Sequence, residues 1–159
     1  MSRKRPEYIK KSFESVGASN DTSANIYMSM LVSPAFQDLT ANQQRLYLFC
    51  KAQYYAEKRK PIEGNYQSFT MNKSKWCGLY KLYKAENYSG FQRDIEALIS
   101  HGLIRCVECG EHTRTKSIYE FSDAWQKYGT PEFKLEPGDL TNAMRRKMKK
   151  KLMYMVKFY

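Results

Sequence analysis

Ser89-Gly90-Phe91-Gln92-Arg93-Asp94-Ile95-Glu96-Ala97-Leu98-Ile99-Ser100-His101-Gly102-Leu103-Ile104 is the stretch on which the reading of this chain turns. Phe91, Ile95, Leu98 and Ile99 recur at helical spacing and form one apolar stripe. Ser89 followed three residues later by Gln92 has the capping-box pattern, so the helix is expected to begin at Ser89. Gly102 suits the left-handed residue that closes a helix, and Leu103 is placed to cover the last turn. With the stripe on one face, Gln92, Arg93 and Glu96 fall on other faces, free to meet a partner.

Past the glycine, Ile104–Cys109 and Lys116–Phe121 read as two strands joined by Gly110-Glu111-His112-Thr113-Arg114-Thr115, a hairpin with a basic tip. Toward the N-terminus, Ile26–Val32 alternates loosely and reads as a short strand. Ser33-Pro34 breaks it, because the residue before a proline is pushed out of the helical region. Thr40 and Gln43 form a second capping box, opening a helix that runs to about Lys58 and buries Leu46, Phe49, Cys50 and Tyr54. Arg59-Lys60-Pro61 ends that helix, and Ile62–Gln67 is a loop. Ser68–Met71 reads as a brief strand, Asn72 as the cap of a short helix over Lys73–Cys77, and Gly78–Tyr88 as a loop or turn. Strand, helix, strand, helix, turn, helix, hairpin is the order a winged helix-turn-helix requires, so an α+β winged helix over residues 26–130 is expected. The competing reading is an unrelated α+β domain that happens to contain a helix and a hairpin.

Asp123–Tyr128 continues from the second hairpin strand, with Trp125 packing back, and residues 131–138, with two prolines, read as a linker. Asp139–Tyr159 then reads as a terminal helix capped by Asp139. Leu140, Met144, Met148, Leu152, Met155 and Tyr159 trace one face of it, while Arg145, Arg146, Lys149 and Lys150 lie off that face. Such an apolar row needs cover. Self-association into a homodimer is expected, since a two-fold pair presents two recognition helices to neighbouring half-sites. Docking on the body of the same chain is the competing arrangement.

The 159 residues suffice for one core and are too few for two comfortable domains. The net charge is +11, unevenly spread. Residues 1–25 hold five basic and three acidic side chains and few apolar anchors, and read as a mobile basic arm. Residues 26–138 hold fifteen and twelve, whereas residues 139–159 hold seven and one. The body is thus mildly basic and the C-terminal helix strongly so, which points to an anionic partner. No apolar span or signal peptide is visible, so a cytoplasmic protein with four reduced cysteines is expected.

An α-helix fits the major groove of B-DNA, where each base pair shows its own donor and acceptor pattern. Arg93 is suited to a bidentate contact with guanine and Gln92 to one with adenine. Lys73 and Lys75 at the start of one helix, Ser89 at the start of the next, and Arg114 and Lys116 at the hairpin tip complete the expected DNA-binding set. The lysines and Arg114 are assigned to phosphates, which set register without reading sequence. Taken singly, each cation is equally explained as a solvated surface residue.

Cys106 and Cys109 with His112 offer three zinc-type ligands, and Cys77 or His101 is a conceivable fourth. The two cysteines fall on opposite faces of a regular strand, so half-buried thiols and no metal are expected unless a bulge intervenes. There is no Gly-rich phosphate loop and no nucleophile elbow. The thirteen tyrosines lack the closely spaced histidines of a tyrosine-dependent nicking enzyme, and no acidic cluster suits two-metal chemistry. No enzyme activity, cofactor or small-molecule substrate is therefore expected.

Met30-Leu31-Val32-Ser33-Pro34-Ala35-Phe36, then Leu39-Thr40 and Arg45-Leu46-Tyr47, resembles the opening of winged-helix proteins of Gram-positive plasmids, phages and conjugative transposons. Arg93 through Ile104, followed by Ser117-Ile118-Tyr119-Glu120-Phe121-Ser122 and Trp125, resembles the later part of the same domains. Similar domains occur in replication initiators of these elements, and initiators usually carry a second functional domain. The resemblance implies double-stranded DNA binding in the replication, transfer or control of a mobile element. A transcriptional repressor is the near alternative. A protein- or membrane-interaction module using the amphipathic tail is the alternative from another class, with a membrane the less expected partner.

Overall fold

The computed structural model describes residues 24–57, 68–110 and 115–156. The expected N-terminal arm up to Ser23, the end of the long helix at Arg59–Pro61, the loop Ile62–Gln67, and His112 and Arg114 at the hairpin tip all lie outside the described residues.

Ile26–Val32 is not a strand. It holds one helical turn, α1 (Met28–Leu31), in which the Tyr27 carbonyl accepts from the N–H groups of Met30 and Leu31 at 3.0 and 3.2 Å. The Ser33 hydroxyl donates to the Met30 carbonyl at 2.7 Å, so local partners close the turn. Ser33 itself is extended, as Pro34 demands, but the proline opens a helix instead of merely ending a strand. That second turn, α2 (Pro34–Gln37), is capped by the Ser33 hydroxyl, which accepts from the Phe36 N–H at 3.3 Å. The long helix α3 (Ala41–Glu57) starts on the expected capping box: the Thr40 N–H donates to Gln43 Oε1 at 2.9 Å, and the Gln43 N–H to Thr40 Oγ1 at 3.5 Å. It buries Leu46, Tyr47, Cys50 and Gln53, and Phe49 packs at the edge of the core. The Tyr54 side chain lies outside the described residues.

Three antiparallel strands form the sheet: β1 (Ser68–Thr70), β2 (Ile104–Glu108) and β3 (Ile118–Phe121), in the order β1-β3-β2. Phe69 faces Tyr119 in register and stacks on Phe121 at 4.8 Å between ring centroids. The hairpin strands are shorter than their sequence suggests. A bulge between Cys106 and Glu108 shifts the register, and Cys109, Lys116 and Ser117 fall beyond the ladder.

After β1 the chain makes a wide π-helical turn over Ser74–Leu79, longer than the expected Lys73–Cys77 helix and including Gly78. Asn72 caps it as expected, its Oδ1 accepting from the Lys75 N–H at 3.1 Å and from the Ser74 hydroxyl at 2.7 Å. The turn drives Trp76 into the core, where its ring stacks on Phe91 at 4.9 Å.

The deciding helix, α4, runs Tyr88–Ser100, and its cap is Asn87 instead of Ser89. Asn87 Oδ1 accepts from the Gly90 N–H at 3.1 Å. A Cβ on residue 90 would sit 2.5 Å from that oxygen, so the glycine makes the room the asparagine cap needs. Ser89 therefore lies inside the first turn, and Gln92 turns its amide to the Tyr88 hydroxyl at 2.7 Å. The far end follows the sequence. Gly102 has φ +71°, its N–H donates to Ile99 O at 2.9 Å, and the Leu103 N–H donates to Leu98 O at 3.1 Å, closing a Schellman motif over a buried Leu103.

Beyond β3, Trp125 packs back on the core from a 3₁₀ turn over Ala124–Lys127, with its N–H on the Gly102 carbonyl at 3.0 Å. Within the expected linker, Leu135 packs against the core. The last helix, α5 (Asn142–Val156), is capped by Thr141, whose hydroxyl accepts from the Met144 N–H at 3.2 Å. Asp139 is not its cap. It ends a 3₁₀ turn over Pro137–Asp139, and Leu140 follows extended and buried, which delays the helix. Leu140 and Met144 dock on the body, but Met148 is 38% exposed and Leu152 56%. Met155 and Tyr159 lie outside the described side chains. Among the described residues no helix is long and apolar enough to cross a membrane.

A small polar cluster pins the 3₁₀ turn to α2. The Tyr128 hydroxyl donates to Asp38 Oδ2 at 2.7 Å, and His101 Nε2 lies 3.1 Å from the same oxygen. The Tyr128 hydrogen bond first, and His101 next, hold the Asp38 carboxyl below its ordinary range. A lowered carboxyl stabilises the fold above its unfolded value and loses that contribution as pH falls through the folded one. Asp38 is 64% exposed, so the effect is small. Tyr128→Phe is expected to lower urea stability near about pH 6, with the difference from the parent chain closing below about pH 3. An equal difference at both pH values would show that the Asp38 charge is not what the hydroxyl supports, since the variant keeps the ring and its packing on Phe133.

Candidate nucleic-acid interface

The end of β1, the start of α4 and the base of the hairpin meet around a cleft of about 320 Å³. Trp76, Phe91 and Tyr119 line its apolar part, and Lys73, Gln92 and Lys116 contribute polar side chains to its wall. Three of the residues singled out in the sequence, from three separate elements, thus share one concave surface. Lys73 and Lys116 are exposed, and Gln92 is half-buried beside them. Gly110 closes the stem of the hairpin: a Cβ there would overlap the carbonyl oxygen of Thr115, so only a glycine lets the returning chain pass so near. Its N–H donates to the Ser117 hydroxyl at 3.1 Å, which steadies the segment carrying Lys116.

Ser89 and Arg93 stand on the outer face of α4, Arg93 with 76% of its side chain open. The Arg93 Nε lies 3.4 Å from Asp94 Oδ1, a long contact that leaves the guanidinium broadly accessible. Asp94 is buried and shared: Tyr83 OH donates to it at 2.7 Å and Gln43 Nε2 at 3.1 Å. That carboxylate ties α4 to α3 and to the preceding loop, fixing the helix that carries Gln92 and Arg93. Burial, and next the bond to Asp94, push the Tyr83 phenol far above its ordinary value, so it remains a neutral donor.

Lys75 does not join the cleft. Its ammonium turns inward, donating to Gln53 Oε1, to Thr70 O at 3.1 Å and to Thr70 Oγ1 at 3.2 Å. An ammonium has three protons, and these acceptors engage it between α3 and β1, away from a phosphate role. No protein-family model, curated protein or solved structure matches the chain.

Glu96 is likewise not free. Lys147 of α5 reaches its carboxylate at 2.6 Å, a pairing across 51 positions for which the local sequence carries no signal. Arg145 holds the carbonyls of Pro137 and Gly138 at 2.8 and 3.0 Å, anchoring the start of α5. Thr141, its cap, borders the cleft. The cysteines take local roles: Cys106 is buried with its Sγ 3.4 Å from Glu108 O, and Cys109 Sγ accepts from the Asn142 N–H at 3.4 Å. Among the described residues no three His, Cys, Asp or Glu side chains are placed to hold a metal.

Proposed function

We propose that this chain binds double-stranded DNA as a winged helix, with α4 as the recognition helix and the β2–β3 hairpin as the wing. The observation that carries the reading is the shared cleft of Lys73, Gln92 and Lys116, with Arg93 and Ser89 open beside it. The sheet order β1-β3-β2, with α4 leading directly into the hairpin, is compatible with that fold. In this arrangement Arg93 and Gln92 read base edges, and Lys73, Lys116 and Ser89 hold phosphates on either side. Arg114, at the tip, extends the phosphate set. The role in replication, transfer or control of a mobile element rests on the sequence resemblance.

Fluorescence anisotropy with duplexes selected from the host element's own DNA tests the reading. Arg93→Ala is expected to cost about 1–3 kcal/mol on a preferred site and to relax its sequence preference. Lys73→Gln and Lys116→Gln should each weaken all sequences alike, shallow the slope of log K against log salt by about 0.9, and lower affinity roughly eightfold near 0.1 M salt. Unchanged affinity and slope in all three variants would overturn the assigned surface.

A further inference from the structure

Beyond the cleft, the most unusual surface is α5. Six of the seven residues from Arg145 to Lys151 are cationic, and Asn142–Val156 contains no acidic residue. Seven consecutive helical positions go fully round the axis, so the charge is not confined to one face. Lys149, Lys150 and Lys151 are all exposed.

The position of this helix matters as much as its charge. Leu140 and Met144 seat its start in the core, and Lys147 ties it to Glu96 on the flank of α4. It leaves the outer face of α4 uncovered, since Ser89 and Arg93 remain exposed. Of the two carboxylates on α4, Asp94 is buried, and Glu96, 15% exposed, is paired with Lys147. The contact therefore offsets a negative charge on the side of the recognition helix.

We infer that α5 is a second phosphate-binding element, running along the backbone of the same duplex that α4 and the cleft engage. The inference rests on the DNA reading proposed above. Charge complementarity selects the occupant: duplex DNA carries one negative charge per ~1.7 Å of axis, and a fifteen-residue helix is about 22 Å long. A second copy of α5 is the poorer occupant, because the exposed row of Met148 and Leu152 is flanked by lysines that would face those of its mate.

The test compares the full chain with a Lys149→Gln, Lys150→Gln, Lys151→Gln variant. Helix content is checked by circular dichroism, and both proteins are titrated against duplexes of about 12 and about 26 base pairs carrying the same selected site. Three successive helical lysines cannot all face one backbone, so about two phosphate contacts are at stake. On the long duplex the variant should lose about 1.8 from the salt slope and roughly 60-fold in affinity near 0.1 M salt, and on the short duplex far less. Equal slopes and affinities for the two proteins on the long duplex would overturn the inference. So would a variant that keeps its DNA slope but loses binding to phosphatidylserine vesicles, or that keeps it but dissociates from a dimer in sedimentation. If the unaltered chain binds neither duplex, the DNA reading of the domain itself fails, a result distinct from these.

Discussion

Replacing Trp76 by alanine is expected to remove about 3–5 kcal/mol of stability, a large share of the roughly 5–15 kcal/mol by which a native domain is held. Trp76 is 1% exposed and stacks on Phe91 at 4.9 Å with its ring tilted by 16°. Tyr83 meets it edge-on at 6.0 Å, and the Trp76 carbonyl receives the Leu82 N–H at 2.9 Å. Removal of the ring would leave a void between the π-helical turn and α4, both held by hydrogen-bonded backbone that cannot simply collapse inward. Thermal melting should fall by roughly 10 °C for a chain of this length. Trp76→Phe, which keeps an aromatic face against Phe91, should lose far less. A shift of under about 2 °C in the alanine variant would show that the turn repacks and that Trp76 is not its anchor. Because Trp76 also lines the cleft, the part of the tryptophan emission lost in Trp76→Phe, where only Trp125 remains, provides a second readout of the same site.

Gly102→Ala is expected to be the other severe substitution. At φ +71° a side chain is strained whatever the space around it. Here the space is also taken: a Cβ would lie 2.8 Å from the Trp125 N and 2.9 Å from both the Ala124 carbonyl carbon and the Phe133 ring. Backbone strain and overpacking together amount to roughly 2–5 kcal/mol. An ordinary helix-closing glycine is replaceable by asparagine, which tolerates the left-handed region. At this position Asn should fail as Ala does, because the obstruction is the backbone of the following turn. Urea denaturation of both variants checks this, and a well-tolerated Gly102→Asn would mean that the Ala124–Lys127 turn moves aside.

The sequence stated some of this plainly. The stripe of Phe91, Ile95, Leu98 and Ile99, the glycine that ends α4 and the Thr40–Gln43 box are encoded within a turn or two, and each forms as read. Where two local signals compete, the outcome was not legible. Asn87 and Ser89 are both good caps, and the choice fell to Asn87 because Gly90 leaves room for its side chain. Asp139 and Thr141 compete in the same way, and the burial of an extended Leu140 between them gives the cap to Thr141. Ile26–Val32 carries a strand-like pattern, but hydrogen bonds from its own neighbours close a helical turn first.

The candidate site divides along the same line. Lys73 and Lys75 stand two residues apart, about 200° around a helical turn, so one faces outward if the other faces in. Nothing local says which. Gln53 on α3 and Thr70 on β1 draw Lys75 inward and leave Lys73 on the cleft. Glu96 looks as free as Arg93 in the linear chain, yet Lys147 closes on it from α5. Local signals in the chain thus fix the helix that carries Gln92 and Arg93, its end, the hairpin after it and the excess of charge at the C-terminus. Those properties depend on side-chain periodicity and on backbone preferences that act over about four residues. Which cations line the cleft, which are engaged elsewhere and where α5 lies depend on contacts made across the folded chain. A charge is paired or left open by whatever stands opposite it in space, and those partners come from distant parts of the chain.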